Sequence, residues 1–370
     1  MRLVSLQIRD FRNLASVELT PSSRTTVLVG ENGQGKTNLL EAIYFLATLK
    51  PLRATRLTEL VRFGTARALV SGRFDGPGGE RTLSVEIGDG ARTARLDGKA
   101  QERFDLYFEG LAAVSFTPDD LLLVKAGPDG RRRFLDRAAF NRWPAVLGEA
   151  RDYVRALRAR NAALRRGDAD VEESFRAPLA LAGARLLVRR LALLAELAPR
   201  VEAAFREISG AGAPEAHLEY RTAAGVRVED AGEAELASRL EGALRARLAR
   251  DRERGFTSAG PHADDVALAL GGKGARFYGS QGQQRALVLA LKIAEIENLR
   301  ATLLRPPLLL LDDVSSELDP AKNRFLLAYL ANLPGQAFLT TTDERLLGAA
   351  AGPESSFHRV ENGAVSGLLS

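Results

Sequence analysis

The spacing of apolar positions changes along the chain, and each change marks a part. In residues 1–29, Leu3, Leu6 and Ile8 mix with polar neighbours, and Val17-Glu18-Leu19 alternates before Pro21. That half-buried pattern predicts two or three strands, with a turn at Asp10-Phe11-Arg12-Asn13. Thr26-Val27-Leu28-Val29 is a fully apolar strand, and Asn38-Leu39-Leu40-Glu41-Ala42-Ile43-Tyr44-Phe45-Leu46 is predicted as an amphipathic helix. Strand pairs separated by glycine clusters run from Phe63 to Leu96, and Asp97-Gly98 is a strong hairpin signal. The first hundred residues are therefore β-rich around one buried helix. Ala113-Val114-Ser115-Phe116 is a short apolar run, followed by a turn or helix start at Thr117-Pro118-Asp119-Asp120.

Beyond that point helical signals take over. Residues 133–166 and 171–208 carry helix formers, and Gly167-Asp168-Ala169-Asp170 breaks them into a helical hairpin. Val154, Leu157 and Leu164 sit at a/d-like spacing in the first arm. Short strands are expected at His217-Leu218-Glu219-Tyr220 and Val226-Arg227-Val228, and a helix from Glu235 to Glu253. Gly260-Pro261-His262-Ala263-Asp264-Asp265 reads as a turn into a strand. Leu308-Leu309-Leu310-Leu311 is an uninterrupted apolar strand that ends in Asp312 and Asp313, the pattern of a buried parallel strand.

Between the apolar strand at 26–29 and its helix lies Gly30-Glu31-Asn32-Gly33-Gln34-Gly35-Lys36-Thr37-Asn38. The spacing is G-x-x-x-x-G-K-T, the phosphate-binding P-loop in its strand–loop–helix context. The glycines let backbone N–H groups turn toward phosphate oxygens, and the helix start adds its positive dipole end. Lys36 supplies a mobile charge for the β- and γ-phosphates, and the Thr37 hydroxyl is placed to ligate Mg²⁺. Asp312 is expected beside this loop as the second Mg²⁺ group, with Asp313 facing the γ-phosphate to orient or deprotonate water. Ser280-Gln281-Gly282-Gln283 precedes an apolar helix; Ser280 and Gln283 form a capping box, and the exposed helix start is a second anion site.

Composition removes several classes of chemistry. The 370 residues contain no cysteine and only three histidines, which rules out disulfides and thiolate sites and argues against a histidine-built metal site. No apolar run approaches a membrane span and the start has no signal-peptide core, so a soluble, cytoplasmic protein without membrane contact is expected. The net charge is +5, yet residues 121–166 hold twelve Lys or Arg against four Asp or Glu. Arg131, Arg132 and Arg133 are consecutive, and Arg151, Arg155 and Arg158 share a helical face. Two readings fit this cluster: a phosphate-backbone contact surface, or a solvated helix face with local ion pairs.

Six separated stretches, taken together, resemble a known family: Phe11-Arg12-Asn13-Leu14, Gly30 to Glu41, Gly127 to Asp136, Gly260 to Asp265, Gly279 to Arg285 and Leu311 to Asp319. The 280–284 stretch is similar to the signature motif of ABC-type ATPases, and Ser315-Ser316-Glu317-Leu318-Asp319 to their D-loop. P-loop first, signature and acidic strand last, and a helical insertion between them is the layout of SMC-like heads. Over essentially the whole chain the pattern resembles the RecF family of bacterial recombination mediators. The resemblance implies an α/β, ABC-type P-loop ATPase head with a mixed β-sheet lobe, built from 1–120 and 256–370, and a mainly helical arm lobe at 121–255. It also implies an ATP- and Mg²⁺-dependent homodimer in which Ser280, Gln281, Gly282, Gln283, Ser316 and Asp319 act across the interface. Slow ATP hydrolysis, binding to double-stranded and gapped DNA, and work with RecR and RecO in loading RecA follow from the same resemblance.

The chain departs from the wider ABC pattern in ways that favour slow turnover. Asp313 stands where Glu is usual, Thr340-Thr341-Thr342-Asp343 has no switch histidine, and no glutamine occupies the Q-loop position near Phe116-Thr117-Pro118. Ala263 replaces an expected Arg in the 260–265 run, so that stretch is given no functional role and His262 is read as a locally bonded turn residue. Two other function classes compete: a transport or motor ATPase, and a chromosome-structuring head with a long coiled coil. The absence of spans opposes the first and the short helical insertion opposes the second.

Overall fold

The computed structural model describes residues 1–53, 56–76, 78–101, 104–303, 306–314, 318–342 and 354–368. The chain forms two compact units, one of Met1–Asp120 with Glu295–Ser370 and one of Leu121–Ala294. In chain order the strands are β1 (Arg2–Phe11), β2 (Leu14–Leu19), β3 (Thr25–Val29), β4 (Arg67–Gly76), β5 (Gly79–Gly88), β6 (Ala91–Leu96), β7 (Lys99–Ala100) and β8 (Ala113–Phe116). Then follow β9 (Ala216–Arg221), β10 (Asp265–Leu270), β11 (Lys273–Gly274), β12 (Leu308–Asp312), β13 (Ala337–Thr341), β14 (Ser355–Glu361) and β15 (Ala364–Leu368).

The first unit has two sheets. One is antiparallel, in the order β2-β1-β4-β5-β6-β7. Its alternation, reset by a register shift between Leu3 and Ser5, buries Leu3, Leu6, Ile8, Val70, Phe74, Leu83, Val85 and Ile87 on one face. Asp97 and Gly98 both take positive φ, 50° and 79°, and join β6 to β7 as the hairpin signal predicts. The other sheet runs β15-β14-β3-β13-β12-β8, and all of its ladders are parallel except the β14–β15 hairpin at its edge. Every position of β12 is buried, as a leucine run in a parallel sheet requires. The helix Lys36–Thr48 is not amphipathic as expected: only Thr37 and Asn38 are partly exposed and the rest is buried. Its sequence has no polar face after Asn38, and Glu41 is the single interruption.

The second unit combines the sheet β11-β10-β9 with helices Pro128–Arg142, Val146–Arg166, Ala169–Ser209, Glu233–Ala246 and Leu248–Arg254. The helical hairpin forms where expected: Gly167 is left-handed, and Asp168 caps the next helix by accepting the Val171 N–H at 3.1 Å. Four details differ from the sequence reading. Val226-Arg227-Val228 forms no strand, and the helix expected over 235–253 is interrupted at Arg247. The buried stripe of Val146–Arg166 is Tyr153, Ala156, Arg160, Ala163 and Leu164, leaving Val154 exposed, because a buried arginine displaces the expected apolar register. Residues 256–294, expected with the head, cluster with the second unit, since β10 pairs along its whole length with β9.

Arg160 is the polar centre of this unit. It is fully buried and meets Glu172 and Asp251, each at 2.9 Å, and the Thr257 hydroxyl at 2.8 Å. Asp251 also accepts the Ser258 N–H and hydroxyl, and Glu172 pairs with Arg176. His262 sits in the turn and keeps one local bond as expected, but it also ties the turn to a distant helix. Its Nδ1 contacts the Tyr153 hydroxyl, 109 residues away, and its Nε2 lies 2.9 Å from the Thr257 carbonyl. A carbonyl only accepts, so Nε2 carries the proton and Nδ1 accepts from Tyr153. Tyr220 bonds Asp264, and Arg190 reaches both Tyr220 and Asp136. The 260–265 run is thus the hub that fastens these helices to β9 and β10.

Two outcomes follow. Arg160→Met should lower stability by about 3–5 kcal/mol, because it takes the arginine from the buried Asp251 and leaves the buried Glu172 with Arg176 alone; urea unfolding of the full chain measures it. Burial holds the His262 pKa below its ordinary 6.5. The unfolded chain therefore takes up a proton near pH 6.5 that the folded chain refuses, so stability falls as the pH drops below that value, by up to about 1.4 kcal/mol per unit. His262→Gln should flatten that part of the pH–stability curve.

Candidate nucleotide site

The P-loop is held from behind and open in front. Gly30 has no room for a side chain: a Cβ there would lie 2.3 Å from the Val360 carbonyl oxygen on β14. Gly35 has φ 116° and packs against the Asn13 side chain. Gln34 is fixed three ways: its carbonyl accepts from Asn13 Nδ2 at 3.2 Å and from the Gly363 N–H at 2.9 Å, and its Oε1 accepts the Asn362 N–H at 2.6 Å. Asn13 Oδ1 in turn accepts from Asn38 at 2.8 Å. Gly30 and Gln34 therefore brace the loop.

Glu31, Asn32, Gly33, Gly35, Lys36, Thr37 and Asn38 line a cleft of about 350 Å³ together with Arg53, Pro118, Asp312, Asp313 and Thr340. No side chain caps the helix that begins at Lys36, so its first N–H groups keep the anion-attracting character of an open helix start. Lys36 folds back on the Gly30 and Glu31 carbonyls, the latter at 2.9 Å. Burial lowers its pKa, opposed by Asp313, Asp312 and Glu31.

Across 275 positions of sequence, the Thr37 hydroxyl donates to Asp312 Oδ1 at 2.7 Å. Thr340 on β13 donates to the same oxygen at 3.0 Å, and its own Oγ1 accepts the Asp313 N–H at 2.8 Å. Asp312 Oδ2 pairs with Arg53 at 2.7 Å. Asp313 has φ 47°, a left-handed conformation uncommon for a side-chain-bearing residue, at the point where the strand ends in the cleft. A hydroxyl and a carboxylate in contact, with a second carboxylate next in sequence, are hard oxygen donors of the kind Mg²⁺ takes. Among the described residues no group of three or more His, Asp or Glu could hold a metal alone; a Mg²⁺ site of this kind completes its shell with phosphate and water.

Sequence reasoning did not single out Arg53, Thr340, Glu41 or Asn13 as site residues. Glu41 is 1% exposed, and its carboxylate accepts Arg12 Nε at 2.9 Å and the N–H groups of Leu52 and Arg53 at 3.1 and 2.9 Å. A lone acid in an apolar helix was the signal for it. Arg53 carried none, since nothing in its local sequence links it to a strand 259 residues on.

The remaining expected residues scatter. Ser280 and Gln283 make the predicted capping box, with Ser280 N–H on Gln283 Oε1 at 2.9 Å and Gln283 N–H on Ser280 Oγ at 3.3 Å. Ser280 and Gln281 are exposed, and Gly282 and Gln283 partly so. Asp319 caps the helix Pro320–Asn332 through the Ala321 and Lys322 N–H groups, and the Lys322 side chain and N–H hold its pKa below the ordinary carboxylate value. Ser316 lies outside the described residues. The basic cluster divides. Arg131 is 12% exposed and spans Asp265 and the carbonyls of Leu123 and Ala126. Arg132 is 17% exposed and bonds Asp129 and the Asp264 carbonyl. Those two are consumed by the unit's own packing. Arg133, Arg151, Arg155 and Arg158 are exposed.

The RecF/RecN/SMC N terminal domain family matches residues 2–363. The DNA replication and repair protein RecF of Anaeromyxobacter dehalogenans is 74% identical over 373 residues, covering 100% of both chains. A solved structure of the recombination mediator protein RecF-ATP in the RecFOR pathway aligns over 100% of this chain and 98% of that one, with a TM-score of 0.90 and 29% identity. An Smc head bound to the C-winged helix domain of ScpA aligns over 100% and 97%, with a TM-score of 0.56 at 16% identity, and shares the fold. With its P-loop, its acidic parallel strand and an ABC-type ATPase head fold, the chain belongs to the RecF family of DNA replication and repair proteins.

Proposed function

We propose that the chain is an ATP-dependent DNA clamp. The carrying observation is the 2.7 Å contact between Thr37 and Asp312 inside a cleft lined by the P-loop. Lys36 leaves the loop carbonyls for the β- and γ-phosphates, and the open helix start binds the same group. Thr37 and Asp312 hold Mg²⁺, which when bound neutralises charge on the phosphate oxygens. Asp313 orients water for a slow hydrolysis that acts as a switch. Its shorter side chain, in place of the usual Glu, and a threonine strand end without histidine support low turnover.

Ser280, with Gln281, Gly282 and Gln283, completes the site of a second copy, so ATP closes a homodimer. The exposure of Ser280 and Gln281 supports that reading, since it puts a hydroxyl at a helix start that a second copy can reach. Asp319 and Ser316 belong to the same interface. The closed dimer binds double-stranded DNA at gaps through its backbone, and works with RecR and RecO to load RecA. Of the basic cluster, Arg133, Arg151, Arg155 and Arg158 are the phosphate contacts; Arg131 and Arg132 are structural.

Lys36→Met should abolish nucleotide binding in equilibrium titrations. Ser280→Arg should leave binding by the monomer intact and remove ATP-dependent dimerisation in light scattering; loss of monomer binding would overturn the assignment across the interface. Charge reversal at Arg133, Arg155 and Arg158 should weaken DNA binding and flatten the log–log salt dependence by roughly one per lost phosphate contact. An unchanged slope would remove this face from the DNA surface.

A further inference from the structure

We propose that Arg53 is the built-in counter-ion of Asp312 and that Mg²⁺ must displace it, so that Arg53 sets how strongly nucleotide binding depends on the metal. The inference rests on the nucleotide site proposed above. Asp312 is 2% exposed, and both its oxygens are engaged: Oδ1 by the Thr37 and Thr340 hydroxyls, Oδ2 by Arg53 at 2.7 Å. Arg53 brings the only full positive charge among these contacts. A carboxylate this buried is costly without such a charge.

The pair is positioned rather than incidental. The Arg53 N–H is fixed at 2.9 Å to Glu41, itself buried and paired with Arg12. The Arg53 side chain is 39% exposed and lines the cleft, so it can be moved off at low cost. A divalent cation held by Asp312 supplies the same compensation, and it repels a guanidinium on the same carboxylate. One carboxylate therefore has two rival cations. Arg53 serves while the metal is absent, and it limits how readily the metal enters.

Two measurements on the full chain test this. Mn²⁺ binding without nucleotide, followed by electron paramagnetic resonance, should tighten roughly tenfold or more in Arg53→Gln, the effect of removing one opposing charge in a partly screened site. Asp312→Asn should remove that gain. Titration with a fluorescent ADP should show Arg53→Gln losing affinity by a similar factor in EDTA and recovering wild-type affinity in Mg²⁺, with Arg53→Lys in between. Equal weakening with and without Mg²⁺ would overturn the proposal and make Arg53 a plain phosphate contact. Unchanged behaviour in both would show the pair to be idle. If the wild-type chain binds no ADP under any condition, the nucleotide site itself fails. Should Arg53→Gln not fold, Arg53→Lys carries the test, since the fork-shaped contact is lost while the charge stays: a wild-type ratio of EDTA to Mg²⁺ affinities would then overturn it.

Discussion

Asp312 reaches Thr37 because β12 and β3 run parallel on either side of β13. Both then end at the same edge of the sheet, where the strand–loop turn at Gly30 and the acidic pair at 312–313 meet. Parallel strands cannot be joined by tight turns, so the two halves of the site must come from distant sequence. The site therefore exists only when the head is folded as a whole. The register is also specific: Asp312 lies opposite Thr340, whose hydroxyl bridges Asp312 and the Asp313 N–H. A slip by one residue would turn Asp312 to the opposite face.

The loop itself is held by the chain's two ends. Asn13, at the β1–β2 turn, and Asn362-Gly363, at the β14–β15 turn, clamp Gln34 from two directions. Gly30 is pressed against Val360. Hydrogen bonds from outside the loop thus fix the backbone that is to face phosphate, and that preorganisation lowers the ordering cost of binding. Glu41 extends the same support to the cleft's wall by holding Arg12 and the 52–53 backbone.

The second unit shows what burying charge does to a sequence pattern. Arg160 faces the interior among carboxylates, so the helix that carries it shows no clean apolar stripe, and Val154, despite its a/d-like spacing, is exposed. The parallel β12, the Asp97-Gly98 hairpin and the Ser280–Gln283 capping box were legible because each depends on its own neighbours. Arg53, Thr340 and the bonds that Arg131 and Arg132 make to Asp265 and the Asp264 carbonyl were not, because each depends on partners between 27 and 259 residues away. A run of three arginines reads as a basic patch; only the fold shows that two of them point at Asp265 and the Asp264 carbonyl.

The central claim is that Thr37 and Asp312 act as one metal–nucleotide unit. A double-mutant cycle with Thr37→Ala and Asp312→Asn, read as Mg²⁺–ATP affinity by calorimetry, tests it most directly. Strong non-additivity is expected, a coupling of about 0.5–3 kcal/mol, because either substitution already breaks the shared site. Losses that add to within about 0.5 kcal/mol would mean that the two residues bind independently, and would contradict the site as described.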